Sequence, residues 1–398
     1  MRKILVGAIA LALGAAAPGF AQSLDDLNIQ IHGYATQGFL YTTQNNIFTT
    51  NSSNGSPAWT EAVVNVTAQP YPKLRIGIQA RYFLLGNLGN SITLDWASAD
   101  YKANDKFGVR FGKVKTPSGL FNEIQDIDPS YLWSLLPQSV YPIESRNSLL
   151  AHYGGVAYGT IKLGPSLGKL EYRGWGGQRV LGSGDGYFVT EREEGVVLPN
   201  GLSSVTYGEA LHWRTPLTGL MIGASNSYSN ASVAALTDTI PGVGAFNGSL
   251  NSSASDEPVF FGQYEKNKLM VAGEYSRDAG HGSLVVPHLF TEPYGIDYRA
   301  WYAMASYKVT DKLSAGLYDS QFFDHQAAFG PARYTKDWVV SGRYDFNQFL
   351  YAKVEQHFID GTGQSTGYDI TLNPPTAQLP TGLQPTTRLT ILKIGVSF

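Results

Sequence analysis

The sequence predicts an all-β fold, a closed antiparallel transmembrane β-barrel of about 16 strands. Three observations carry that prediction: hydrophobicity alternates with a period of two, connection length alternates with parity along the chain, and the composition is aromatic but poor in charge. The 398 residues contain 44 Gly, 24 Tyr, 19 Phe, 7 Trp and no Cys. Charged residues make up 15 %, against roughly 25 % in a typical soluble domain. A helical membrane protein needs runs of about 20 apolar residues, and a disordered chain lacks aromatics. Neither description fits. The formal charge of −3 leaves no electrostatic footprint for nucleic acid as a partner.

The N-terminus points to export. Arg2 and Lys3 precede an apolar stretch from Ile4 to Ala17, and small residues at Gly19 and Ala21 mark a cleavage point after Ala21. This is the pattern of a signal peptide over residues 1–21, leaving 22–398 as the barrel. Its removal leaves 398 − 21 = 377 residues and shifts the charge from −3 to −5, because Arg2 and Lys3 go with it. Without cysteine, an exported chain depends on hydrogen bonding and packing for stability.

Each strand is then justified by its alternation. In 73–84, Leu74, Ile76, Ile78, Ala80, Tyr82 and Leu84 alternate with Lys73, Arg75, Gly77, Gln79, Arg81 and Phe83. A strand places these sets on opposite faces, one suited to lipid and one to water. The last strand repeats the pattern, with Leu392, Ile394, Val396 and Phe398 opposite Lys393, Gly395 and Ser397. In order, the predicted strands are 29–41, 59–69, 73–84, 91–102, 105–115, 152–163, 168–177, 205–214, 219–229, 257–265, 268–277, 297–308, 312–323, 334–345, 348–360 and 387–398. Those at 152–163, 205–214 and 297–308 alternate poorly. Trp96, Trp175, Trp213, Trp301 and Trp338 fall within strands, as interfacial girdles require, although β propensity alone also draws aromatics into strands.

Between strands, longer loops at 42–58, 85–90, 116–151, 178–204, 230–256, 278–296, 324–333 and 361–386 alternate with tight turns. A membrane barrel sorts its connections in this way, because short turns gather at one end and long loops at the other. Closure also leaves no unpaired strand edge facing lipid.

A barrel of this size leaves an aqueous channel, which something must narrow. The third loop, 116–151, is the longest and is too apolar for a solvated loop, with Leu120-Phe121, Tyr131-Leu132-Trp133, Leu135-Leu136 and Leu149-Leu150. It is expected to fold into the barrel and pack on the inner wall; packing on a neighbouring subunit is the alternative. Its Glu123, Asp126, Asp128 and Glu144, against Arg146 alone, would face Arg75, Arg81 and Arg110 on the wall. These eight residues are the expected pore constriction, setting a transverse field across a narrow gap. Asp95, Lys169, Glu171, Arg173, Glu274, Arg343, Lys353 and Glu355 are further lumen candidates.

The layout, with sixteen strands, a longest third loop and a terminal Phe398, resembles the Gram-negative outer-membrane porins. The stretch Gly112-Lys113-Val114-Lys115-Thr116-Pro117-Ser118-Gly119-Leu120-Phe121-Asn122-Glu123, followed by Leu135-Leu136-Pro137-Gln138-Ser139-Val140-Tyr141, is similar to the strand-to-third-loop region of porin-like proteins. The resemblance implies an outer-membrane barrel for passive diffusion of small hydrophilic solutes and ions, commonly a homotrimer with an inward third loop.

An enzyme is not expected. No Gly-x-Ser-x-Gly elbow, P-loop or His-Glu-x-x-His motif occurs, and the seven histidines are scattered. No metal or other cofactor is expected. A substrate-selective channel for an anion, sugar or aromatic solute, and a non-conducting barrel presenting its loops, remain alternatives.

Overall fold

The structure is a computed structural model that describes residues 27–193, 196–240, 244–327, 329–364 and 367–398. The expected signal peptide, 1–21, lies outside the described residues. Sixteen antiparallel strands close into a barrel. The first eight are β1 (Gln30–Thr42), β2 (Ser56–Tyr71), β3 (Leu74–Leu85), β4 (Asn90–Asn104), β5 (Phe107–Lys115), β6 (Ala151–Gly164), β7 (Gly168–Leu181) and β8 (Leu202–Arg214). The rest are β9 (Leu220–Ser229), β10 (Ser255–Lys266), β11 (Leu269–Val286), β12 (Phe290–Lys308), β13 (Leu313–Asp324), β14 (Tyr334–Asp345), β15 (Leu350–Gly361) and β16 (Thr386–Ser397).

Each strand pairs with its chain neighbours, and β16 returns to β1 in the register Tyr34↔Ser397 to Thr42↔Leu389. The terminal Phe398 takes part in closure: Gly33 N–H donates to its carbonyl at 3.0 Å, and its own N–H donates to Gly33 O at 3.0 Å. Closing the sheet satisfies the two ladders that an open sheet would leave bare.

The wall is polar inside and apolar outside. On β15 and β16, Tyr351, Lys353, Glu355, His357, Leu389, Ile391 and Lys393 are buried, while Val354, Phe358, Leu392, Ile394 and Val396 are exposed. Ile76 and Ile78 on β3, Phe111 on β5 and Trp338 and Val340 on β14 extend the exposed apolar face. A soluble monomer does not expose apolar surface on this scale; a lipid-facing barrel must. Among the described residues, no helix is long and apolar enough to cross a membrane.

Two local conformations show how the wall is joined. Asn267, at φ 57°, makes the tight turn between β10 and β11, a left-handed position that its short polar side chain tolerates. Gly112 (φ +126°) lets β5 approach β4, since a Cβ there would lie 2.3 Å from Ala97 O.

All sixteen predicted strands are present, and the long-loop end departs from expectation. The predicted loop 278–296 is mostly strand, because β11 and β12 run for 18 and 19 residues and meet at 287–289. Within the predicted loop 230–256 a hairpin, Ser232–Ile240 with Gly244–Ser252, pairs through Ser249–Ser252 with Gly282–Val285 of β11. Its two strands pair mainly with each other, and their Ser- and Asn-rich sequence reads as a loop because few apolar residues mark a buried face. Leu181, Phe188, Leu198, Ala234 and Leu236 form a small core beneath it, with Phe188 supplied by helix α1 (Gly186–Glu193).

Candidate functional site

The third loop is tied at its neck by its own backbone. Thr116 N–H donates to Leu150 O at 2.9 Å, and the Asn122 amide donates to Thr116 O at 2.7 Å and Leu149 O at 2.8 Å. Pro129 opens a 3-10 turn at Asp128–Ser130, a second follows at Ile143–Ser145, and helix Arg146–Leu150 leads into β6. None of these turns is long enough to stand alone, so the loop takes its shape from what it touches.

It touches buried wall residues on strands around the ring. Tyr34 on β1 donates to Asp126 O at 3.0 Å, and Gln79 on β3 donates to the Asp126 carboxylate at 2.7 Å. Ser225 on β9 accepts from Gly119 N–H at 3.0 Å. Glu274 on β11 accepts from Leu120 N–H and from Tyr141 Oη, the latter at 2.7 Å. On β13, Ser320 accepts from Ser139 N–H at 3.2 Å. Glu355 on β15 takes two backbone donors, Ser134 N–H at 2.9 Å and Leu135 N–H at 3.0 Å.

The apolar half of the loop has matching partners. Phe121, Leu132, Trp133, Leu136 and Tyr141 pack with Ala272, Tyr302, Met304, Tyr318 and Val339 of β11 to β14. Trp133 meets Tyr318 edge-on at 5.0 Å between ring centroids. This explains the loop's hydrophobicity: its apolar surface is covered by the wall.

Six of the eight charged residues singled out from sequence fall into ion pairs. Asp128 is fully buried, its carboxylate 2.5 Å from Lys393 Nζ and 3.0 Å from Lys353 Nζ, and it accepts from Tyr351 Oη at 2.7 Å. Burial alone pushes that carboxyl up, but the two ammonium groups hold it well below the usual carboxylate range. Arg146 grips Asp95 with two bonds of 3.0 and 2.8 Å. Burial disfavours its charge, and the Asp95 carboxylate outweighs that and raises its pKa.

Asp126 pairs with Lys115 at 2.7 Å, and Arg81 pairs with Glu61 at 2.5 Å while its guanidinium lies 3.7 Å from the Phe83 ring centre. Glu123 lies between Arg110 at 2.9 Å and Arg173 at 3.3 Å, and Arg110 also pairs with Asp100 at 2.9 Å. Glu144 is buried in the second 3-10 turn. Arg75 is exposed and donates to Thr67 at 3.4 Å, apart from the loop.

Sequence reading missed several partners. Glu61, Lys115 and Lys393 each sit on a predicted strand, and a charge there favours the lumen, a signal that parity had already given for Lys393. His357 was read as one of a scattered set, yet its Nδ1 lies 2.7 Å from Asp337 and its Nε2 3.0 Å from Glu355, all three buried. Since Glu355 also receives Ser134 and Leu135, the histidine braces the residue that holds the loop.

The pairs differ in wetness around the ring. The side chains of Lys353 and Asp128 are 0 % and 2 % exposed, whereas those of Arg110 and Glu123 are 31 % and 27 % exposed. Water reaches the β5–β7 side of the loop and is excluded from the β15–β16 side.

This architecture is shared with solved outer-membrane barrels. OmpF of Salmonella typhi, solved in complex with daunomycin, aligns with a TM-score of 0.59 at 13 % identity, covering 95 % of this chain and 99 % of that one. The anion-selective porin of Comamonas acidovorans aligns at 0.56 and 10 % identity, over 93 % and 99 %. OmpT of Vibrio cholerae, an outer membrane protein in trimer form, aligns at 0.53 and 12 % identity, over 93 % and 99 %. The fold is that of a porin-like outer-membrane barrel. No protein-family model matches the chain, and no curated protein matches it by sequence. At these identities the likeness is one of fold.

Proposed function

We propose that this protein is an outer-membrane porin of a Gram-negative bacterium, exported by its signal peptide, that lets small hydrophilic solutes and ions diffuse passively through a water-filled barrel. It acts as a channel and not as an enzyme, and no cofactor takes part. The loop 116–151 is its constriction, folded into the barrel. The observation that carries this reading is the set of bonds from that one loop to the buried faces of β1, β3, β9, β11, β13, β15 and β16. A segment bonded to the inner faces of strands around a closed ring narrows what the ring encloses.

The solute path runs on the side where Arg110, Glu123 and Arg173 keep water contact, with both signs of charge across a short gap. The exposed apolar face meets outer-membrane lipid, and a homotrimer is the expected assembly, in keeping with the trimeric form of the Vibrio OmpT.

The test is single-channel conductance of refolded protein in a planar bilayer, with reversal potentials under a KCl gradient. Stepwise ohmic openings, arriving in threes for a trimer, are the expected result. Silence from folded, inserted protein sinks the reading. Deleting residues 120–145 should raise conductance; an unchanged conductance would place the loop outside the path.

A further inference from the structure

Most of the charges described above point inward and are paired. Two on the outer face of the wall are not. Lys113 on β5 shares a face with exposed Phe111 and lies opposite exposed Tyr153 of β6. Glu209 on β8 is itself exposed and shares a face with exposed Tyr207 and Leu211. Lys113 Nζ donates to Leu94 O at 2.5 Å and lies 5.6 Å from the Tyr153 ring centre, while Glu209 accepts from Tyr228 Oη at 3.4 Å. Among the described residues neither forms an ion pair. Charges set among lipid-facing side chains are costly, so both positions call for a partner from outside the chain.

The two charges lie at the same depth. Followed from Gln30 at the short-turn end of β1, the cross-strand ladder reaches Gly112 on β5 and then Ser229 at the long-loop end of β9, so it climbs with strand number. From Lys113 it runs through Tyr153 and Gln178 to Val205, which is four residues nearer the long-loop end of β8 than Glu209. Strands tilted by about 40° raise the ladder by about 10 Å over three strand spacings, and four residues back along β8 lose about the same height. Between the two charges the outer face is Gly155 of β6 with Gly174 and Gly176 of β7. The barrel itself leaves room for side chains at the last two: a Cβ would come no closer than 4.0 Å to Gly208 O at Gly174, and 3.7 Å to Tyr207 Cβ at Gly176. Glycine weakens a strand interior, and its use here fits the close approach of another backbone.

We propose that the outer face of β5 to β8 is where copies of this chain meet, the Lys113 ammonium of one subunit pairing with the Glu209 carboxylate of the next around a threefold axis. The inference deepens the porin reading, on which it rests, by placing the contact of the trimer. Charge complementarity selects a second copy as the occupant: one face carries a cation and a carboxylate at equal depth, so each copy supplies what the other lacks. The spacing fits a closed ring. Three strands of the sixteen span about 68° of the wall, and the two neighbours of a subunit in a threefold ring lie about 60° apart as seen from its centre. Lys113 then faces one neighbour, Glu209 faces the other, and the bare glycine surface between them turns toward the axis, where backbones can come close.

The chain has no cysteine, so thiols placed at the two positions report on this contact alone. Treated with a short bis-maleimide, the Lys113→Cys, Glu209→Cys double variant is expected to run as a covalent trimer on a denaturing gel, and each single variant as a monomer. Lys113→Glu and Glu209→Lys should each lower the trimer-to-monomer ratio by roughly tenfold or more in analytical ultracentrifugation, and the two together should restore it. Gly176→Leu fits the barrel itself and should fold yet lose the trimer, which keeps the test open if a charge variant fails to fold. A trimer without the 113–209 cross-link, or a monomer throughout with only lipid on this face, overturns the proposal. Conductance in a planar bilayer separates it from the porin reading. Ohmic channels without the cross-link overturn the interface alone, whereas a silent inserted barrel that still cross-links overturns the porin reading and upholds the interface.

Discussion

The β13–β16 side of the wall and the β5–β7 side meet the same loop with opposite physics. On the first, Asp128, Lys353, Lys393, Glu355 and His357 are all buried, and Trp133 packs on Tyr318. On the second, Arg110, Glu123 and Arg173 remain partly in water. A buried pair is costly to break, because the surviving partner is stranded; a wet pair is cheap to break, because water replaces the lost partner. One side therefore anchors the loop, and the other keeps its paired charges in contact with water.

The largest effect should come from breaking the dry side. Asp128→Ala strands two ammonium groups and should cost about 3–5 kcal/mol, read as a lower urea midpoint and new protease cleavage within 116–150. Acid should do the same late. The Asp128 carboxyl sits below its ordinary value, so its contribution is complete above about pH 4 and is lost only as the pH falls further. A loop released already at pH 5 would contradict that sign.

Trp133→Ala should cost about 3–5 kcal/mol by leaving a cavity against Tyr318, without altering any charge. Comparing it with Asp128→Ala by thermal unfolding separates packing from ion pairing as the anchor.

Asp185, beside α1 at the long-loop end, should give a smaller and opposite pH response. Burial pushes its carboxyl up to about 6, so the native state holds a proton there that the unfolded chain releases near pH 4. Stability from this group is intact in acid and falls as the pH rises through that window. Asp185→Asn should flatten the dependence and stabilise at pH 8 by on the order of 2–3 kcal/mol; an unchanged pH profile would refute it.

The smallest effect on stability belongs to the wet side. Arg110→Gln should shift unfolding by no more than about 1 kcal/mol while moving the reversal potential toward cations. A stability loss as large as that of Asp128→Ala would erase the contrast between the two sides.

Much of this was legible in the chain itself. Period-two alternation in β3 and β16 places Ile76, Ile78, Leu392 and Ile394 outside because a strand gives its side chains only two directions. Asp128 and Glu123 were recognised as candidates, as were Arg110, Arg173 and Lys353, which they meet, but Lys393 was not, since it lies at the far end of the chain from Asp128 and only barrel closure brings the two together. The hairpin at 232–252 was hidden for another reason: its strands are weakly apolar, pair mainly with each other, and join the wall only where Ser249–Ser252 meets β11.

By itself the sequence determined the barrel, its strand count and the identity of its longest loop, because alternation and connection length are local properties of the chain. Tertiary structure decided which charges hold that loop, which stay wet and which, like Lys113 and Glu209, form no ion pair among the described residues. Those outcomes depend on distances across a closed ring and on how much water each contact excludes, and neither quantity is written in residue order.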